Sequence, residues 1–187
     1  RDWSSDVCSS DLNDFILELT HGPTQAFKDF GARIMAQVFQ YMISKKKQKY
    51  KVIVATSGDT GGAVANAFSS TDVPVCIFYP RNKISEYQEK QISGYGKNIS
   101  CFSVEGNFDD CQNIVKNLLK DNEIHQETHL ITANSINISR LIPQIFYYFI
   151  SYRELKKNMD IQLITIKFYI LFLLEILAMQ QQHLYQN

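Results

Sequence analysis

The sequence predicts an α/β protein with an open parallel sheet covered by helices. Short β-branched runs alternate along the chain with segments in which apolar residues recur about every four positions, the period of a helix. The connections between them are short, and such alternation is typical of parallel strands joined by helices. With 187 residues, 45% of them hydrophobic, the chain can bury one substantial core, so we expect one domain.

The first predicted helix runs from Asp29 to Ser44, because apolar residues recur there at a spacing of about four. A β-branched run at 51–56 then predicts a buried strand, which leads into a turn rich in glycine and hydroxyl groups at 57–62. The buried face of the helix is predicted to consist of Phe30, Ile34, Val38, Tyr41 and Met42, with Met35 and Phe39 beside it.

The remaining elements follow from the same patterns. A helix is predicted from Ala63 to Phe68, and the last helix is predicted to kink at Pro143. Its apolar face would carry Ile138, Leu141, Ile142, Ile145 and Phe149. The other predicted strands are 74–79, 99–104 and 130–133, and the other predicted helices are 84–95, 108–119 and 136–155.

The turn after the strand at 51–56 predicts an anion site. A strand, a glycine- and hydroxyl-rich turn and a helix start follow one another there, so several backbone N–H groups point at one spot. The helix dipole favours negative charge at the same place. The alternative is an ordinary capping turn in which glycine allows a tight bend.

A second candidate site is the amine of Lys28, in the stretch His21 to Arg33. This lysine stands between Phe27 and Phe30, after a Gly-Pro turn and at the start of a helix. On an apolar wall, burial penalises the ammonium form, and a partly neutral lysine can condense with an aldehyde such as pyridoxal phosphate. The alternative is a lysine that extends into solvent from a surface helix.

The stretch around Lys28 closely resembles the cofactor-lysine segment of microbial threonine synthases, a branch of the pyridoxal-phosphate enzymes of the tryptophan-synthase-β type. Four more blocks follow in the order of that family. The resemblance extends from about Phe15 to Leu155, well under half the length of a family member. The five blocks are 21–33, 55–61, 79–85, 88–91 and 134–140.

The resemblance implies the small domain and the start of the large domain of such an enzyme, with pyridoxal 5'-phosphate as cofactor. The implied reaction converts O-phospho-L-homoserine and water to L-threonine and phosphate. Lys28 would hold the cofactor and act as the base, and Asp59 would lie near the phenolic oxygen of the cofactor. The implied cofactor contacts are Lys28, Asp59 and Thr60, and the implied substrate contacts are Thr56, Ser57, Gly58, Asn134, Ser135 and Arg140.

Arg140 is chemically suited to the phosphate of that substrate. Its planar fork can donate to two phosphate oxygens at once, which a lysine cannot do. The alternative reading of this block is structural: Asn134 and Ser135 would cap the following helix, and Arg140 would pair with a partner on the helix surface.

Both ends of the chain differ from the family. Residues 1–12 resemble the translation of a sequencing adapter, so we expect the native sequence to begin near Asn13; the alternative is a flexible arm. We assign 13–157 to the partial enzyme domain and expect 158–187 to be a frameshifted tail. The chain is therefore expected to be incomplete and inactive by itself.

The tail contains an apolar run, 161–179, that is long enough to cross a bilayer, but Lys167 and Glu175 lie within it. A frameshift is the preferred explanation. With suitable codons, Leu173 to Met179 read two bases later gives Ser-Gly-Asn-Phe-Gly-Asn, which resembles the loop that holds the cofactor phosphate in the family.

The amino-acid composition limits the classes of binding partner that we expect. Nineteen basic and nineteen acidic residues cancel, which gives no general attraction to nucleic acid or to an anionic membrane. The four cysteines lack metal-site spacing and the density of a secreted scaffold, so we expect reduced thiols, no metal and a cytoplasmic location. No secretory signal is recognisable, and a monomer is favoured.

Three other functions stay open at the level of sequence. The chain could belong to a sister enzyme of the same fold, such as a threonine or serine dehydratase or a cysteine synthase. It could be a nucleotide-binding α/β module, although no Gly-x-Gly-x-x-Gly or P-loop lysine follows a strand. It could also be a non-catalytic relic that binds anions.

Overall fold

The computed structural model describes residues 7–9, 15–46, 48–135 and 137–158. Most of the predicted adapter-like arm, 1–12, therefore lies outside the described residues. The predicted frameshifted tail also lies outside them, apart from Asn158, and so does the apolar run at 161–179. The predicted domain boundaries stay predictions.

Four parallel strands form the central sheet: β3 (Tyr50–Ala55), β4 (Val75–Pro80), β5 (Ile99–Val104) and β6 (His129–Thr132). Their spatial order is β5-β4-β3-β6. This order places β3 in the interior of the sheet, paired with β4 on one side and with β6 on the other. The α/β fold with a parallel sheet covered by helices is confirmed.

Before the sheet, β1 (Val7–Ser9) pairs antiparallel with β2 (Phe15–Leu17). The helices of the described part alternate with the strands of the sheet, as predicted. They are α1 (Lys28–Ser44), α2 (Asp59–Phe68), α3 (Glu86–Ser93), α4 (Phe108–Lys120), α5 (Asn122–Glu127), α6 (Ile138–Leu141) and α7 (Ile145–Asn158), with a 3-10 segment at Ile142–Gln144.

The interior strand β3 is buried on both faces of the sheet. Val52 and Val54 belong to the larger core, which includes Phe68 of α2, whereas Ile53 belongs to a second core with Val115 of α4. Helices therefore cover both faces, and burial of β-branched side chains on each supplies the main driving force for this layered arrangement.

The predicted buried face of α1 is wrong in part. Val38 and Tyr41 are 44% and 62% exposed, whereas Met35, which was predicted to lie beside that face, is fully buried together with Ala32 and Ala36. Small alanine side chains allow the helix to approach its neighbours closely, so the side that packs best is not the side with the largest apolar residues. The spacing predicted the helix correctly but placed its buried face too far toward Val38 and Tyr41.

Three further features of the helices differ from prediction. Helix α2 begins at Asp59 rather than Ala63, because glycines at positions 61 and 62 disguised its first turn as a loop. The short helix α5 was not predicted; Asp121 caps it by accepting from the N–H groups of Glu123 and Ile124. The predicted kink at Pro143 takes the form of the 3-10 segment, since proline cannot donate the helical hydrogen bond.

The predicted apolar face of the last helical region is also wrong in part. Ile138, Ile142 and Phe149 are 67%, 52% and 64% exposed, whereas Tyr147 on another side of α7 is buried. The described helices contain no segment that is both long and apolar enough to span a bilayer.

Candidate functional site

The candidate site lies at the carboxyl end of β3, where the chain turns into α2. Thr56 directly follows the strand and is 1% exposed. Its Oγ1 accepts hydrogen bonds from the N–H groups of Gly58 (3.0 Å) and Gly61 (2.8 Å) and lies 3.2 Å from the carbonyl oxygen of Gly58. The Thr56 hydroxyl therefore organises the turn and is not free for a ligand.

The turn leaves other donors open. Among the described residues, nothing accepts from the N–H groups of Ser57, Asp59 and Thr60, and the hydroxyls of Ser57 and Thr60 make no hydrogen bond. These groups surround the N-terminus of a ten-residue helix, whose dipole favours negative charge. The local structure is thus suited to a carboxylate or another oxyanion.

Lys28 is brought to this turn from the start of α1. Its Nζ lies 3.2 Å from Oδ2 of Asp59 and 5.1 Å from the ring centre of Phe27, and its side chain is 22% exposed. The amine is partly shielded as predicted, but its immediate partner is a carboxylate rather than an apolar wall. In the structure the amine therefore contacts Asp59 and does not extend freely into solvent.

Two contacts hold the backbone on either side of Lys28. Asp29 is 1% exposed and accepts from the N–H of Thr24 (2.9 Å) and from its hydroxyl. On the other side, the hydroxyl of Tyr147 donates to the carbonyl of Phe27. No local pattern indicates the Tyr147 contact, because 120 residues separate its two partners.

Gln88 is a site residue that sequence reasoning did not identify. Its Nε2 donates to Oδ1 of Asp59 at 2.8 Å, so that Asp59 lies between Gln88 and Lys28. Gly58 has a φ of +141°, and a Cβ there would lie 2.5 Å from Cδ of Gln88. The position of Gln88 in the matching block 88–91 was the available signal.

Asn134 lies beside the turn but its side chain is engaged. Its Oδ1 accepts from the N–H of Ala55 (3.0 Å), and its Nδ2 donates to the carbonyl of Ala55 (2.8 Å). It therefore ties the end of β6 to the end of β3. Ser135 is exposed. The capping alternative for these two residues is wrong, because Asn137 caps α6 by accepting from the N–H of Ser139.

Arg140 is a buried cation. It is 5% exposed, its Nη1 donates to the carbonyl of Ala133 at 2.9 Å, and its Nε has no hydrogen-bond partner in the described structure. Burial lowers its pKa to about 10. The alternative in which Arg140 pairs on the helix surface is wrong, and within the described ranges no carboxylate forms an ion pair with it.

The structure thus joins Lys28 and the turn from Thr56 to Thr60 into one cluster. Asn134 contacts the backbone next to that cluster, whereas Arg140 lies beneath the adjacent loop at Ala133. The described residues contain no group of three His, Cys, Asp or Glu side chains that could hold a metal ion. Cys76, Cys101 and Cys111 are free thiols, and burial raises the pKa of each.

Similarity to known proteins extends over most of the described chain. The family of pyridoxal-phosphate dependent enzymes matches residues 15–160. Threonine synthase from Buchnera aphidicola subsp. Baizongia pistaciae is 48% identical over 159 residues, which cover 84% of this chain and 37% of the relative. Threonine synthase from Escherichia coli is 48% identical over 150 residues, which cover 80% of this chain and 35% of the relative.

A solved structure gives the same assignment of the fold. Pyridoxal-phosphate-bound threonine synthase from Brucella melitensis superposes with a TM-score of 0.74 at 40% identity, covering 81% of this chain and 33% of that one. The chain spans about a third of the length of the curated relatives that it matches.

Proposed function

This chain belongs to the pyridoxal-phosphate dependent enzyme family, and on that basis we propose that it is part of a threonine synthase. The proposed reaction converts O-phospho-L-homoserine and water to L-threonine and phosphate, which makes the protein a carbon-oxygen lyase acting on a phosphate ester. The observation that carries the proposal is the contact of the Lys28 amine with Asp59 at the open N-terminus of α2.

The residues at this contact fit the cofactor. Lys28 offers a partly shielded amine for covalent attachment to the aldehyde, and Asp59 would lie near the phenolic oxygen. When bound, pyridoxal phosphate supplies an electron sink that eases the removal of protons from the substrate. Thr60, at the start of α2, is the third proposed cofactor contact.

Lys28 would then serve as the base that moves protons at the substrate carbons, since it is the amine next to the anion site. Ser57 would bind the substrate carboxylate, with the open N–H groups of the turn as donors, whereas Gly58 would contribute by shaping the turn, because its own N–H donates to Thr56. We assign Thr56 an indirect part in this contact, because its hydroxyl is occupied in shaping the turn.

Arg140 favours a phosphorylated substrate over the substrates of dehydratases and cysteine synthases. A desolvated guanidinium without a carboxylate partner is costly, and a phosphate would offset that cost through a two-pronged contact. Asn134 and Ser135 would contribute from the neighbouring loop, Asn134 chiefly by fixing its position against Ala55. A monomer and a cytoplasmic location stay predictions.

The proposal is tested on the complete gene product with O-phospho-L-homoserine. We expect equimolar release of L-threonine and inorganic phosphate, with kcat/KM falling at least 100-fold for Arg140→Lys because lysine cannot reproduce the forked contact. Arg81→Lys is the matched control, since Arg81 is exposed and pairs with Glu105. Formation of a keto acid and ammonia from threonine or serine, without phosphate release, would contradict the proposal.

A further inference from the structure

The carboxylate of Asp59 needs an external support if it is to stay beside Lys28. Its side chain is 52% exposed, so packing does not fix its rotamer, and among the described residues only Lys28 and Gln88 donate to it. An exposed lysine-carboxylate pair is weak, since solvent screens it and both side chains lose freedom when they pair. The 2.8 Å hydrogen bond from Gln88 is the second contact on that carboxylate.

The amide of Gln88 is held in a defined orientation. Its Oε1 accepts from the backbone N–H (3.3 Å) and the hydroxyl (3.2 Å) of Ser85, at the N-terminus of α3. This arrangement leaves the NH₂ group facing Asp59. The amide also lies against Gly58, whose φ of +141° and lack of a Cβ make room for it. Lys28 of α1 and Gln88 of α3 therefore both contact the carboxylate that Asp59 carries at the start of α2.

We propose that Gln88 is a positioning residue that holds the Asp59 carboxylate against the Lys28 amine. Gln88 acts through Asp59, and among the described residues no hydrogen bond joins it to Lys28. The inference rests on the proposed function for its catalytic meaning, because it sets the geometry of the amine to which the cofactor would attach. The contact itself can be tested without cofactor or substrate.

Two variants separate positioning from helix capping. Gln88→Met keeps the length of the side chain but removes the Asp59 bond and the two bonds that Oε1 accepts from Ser85. Ser85→Ala removes the bonds of the Ser85 hydroxyl, including the one that it accepts from the Gln88 N–H, and leaves the Asp59 bond in place. Both variants weaken the cap of α3, and only Gln88→Met removes the Asp59 bond.

The readout is the rate of acetylation of Lys28 by trace acetic anhydride at one fixed pH in the 187-residue chain, measured by mass spectrometry of the peptide that contains it. Among the described residues, the groups in contact with the amine are the Asp59 carboxylate on α2 and the ring of Phe27. We expect Gln88→Met to raise the acetylation rate of Lys28 by about threefold, because a displaced carboxylate no longer holds the amine in a hydrogen bond. Ser85→Ala is expected to leave the rate unchanged.

The Asp59→Asn variant completes the test. If Gln88 acts through Asp59, the acetylation rate of the double variant Gln88→Met/Asp59→Asn equals that of Asp59→Asn alone, because the effects are not additive. Equal rates in wild type and Gln88→Met, or fully additive effects in the double variant, would overturn the inference. If Gln88→Met does not fold, Gln88→Glu replaces it, because glutamate preserves the cap while repelling Asp59. An acetylation rate of Lys28 equal to that of wild type would then count against the inference.

The outcome is independent of the proposed function. Failure of pyridoxal phosphate to attach to Lys28 would contradict the enzyme assignment, yet the acetylation rates would still report whether Gln88 positions Asp59. Conversely, normal attachment with identical acetylation rates in wild type and Gln88→Met would remove Gln88 from the site and leave the assignment intact.

Discussion

Replacing Asp29 by alanine is expected to lower the free energy of unfolding by about 3 kcal/mol, because the buried N–H and hydroxyl of Thr24 both lose their acceptor. Thr24 is 6% exposed, so water cannot readily take the place of the carboxylate. The loop that leads into Lys28 would lose its main anchor. Urea unfolding followed by circular dichroism measures the loss.

Asp72→Ala is the control for this substitution. Asp72 is exposed and accepts one long hydrogen bond, 3.4 Å, from Gln40, so its removal is expected to cost less than 0.5 kcal/mol. A loss below about 1 kcal/mol for Asp29→Ala would mean that Thr24 finds other partners and that Asp29 does not anchor the loop.

Replacing Arg140 by methionine is expected to have opposite effects on stability and on anion binding. In buffer without phosphate, the variant should be more stable than wild type by about 1 to 3 kcal/mol, since it removes a desolvated cation that has no ion-pair partner among the described residues. At neutral pH the cation carries this cost in full, because its pKa, which burial lowers to about 10, still lies well above 7 and the guanidinium stays charged.

Added inorganic phosphate should stabilise the wild type relative to Arg140→Met. We expect phosphate to raise the Tm of wild type and to leave that of Arg140→Met unchanged, because only the wild type retains the guanidinium. Arg81→Met serves as the exposed control and should respond as wild type does. Equal protection of wild type and Arg140→Met by phosphate would show that this arginine is not the anion contact.

The fold was largely predictable because its strands are short, β-branched and buried, and because helices separate them. The strand Ile99–Val104 and the start of α4 at Phe108 agree with the prediction. The orientation of α1 was not predictable, since burial of Ala32 and Ala36 depends on close approach to neighbours rather than on side-chain size. Periodicity identifies a helix better than it identifies which face packs.

The site was predictable where its residues are close in sequence and not where it depends on distant contacts. Local sequence patterns predicted both the turn at Ser57 to Thr60 and the amine of Lys28. The support of Asp59 by Gln88, and of Phe27 by Tyr147, joins residues 29 and 120 positions apart. Such contacts depend on how helices pack, which local patterns do not specify.

The central claim is that Lys28 is the amine to which pyridoxal phosphate attaches. It is tested most directly by treating the 187-residue chain with substoichiometric pyridoxal phosphate, reducing with borohydride and mapping the modified peptides by mass spectrometry. Lys90 is the internal control, as an exposed lysine paired with Glu86 on a surface helix. We predict that the pyridoxyl group is found predominantly on Lys28 and that Lys28→Arg abolishes this labelling; equal labelling of Lys28 and Lys90 would contradict the claim.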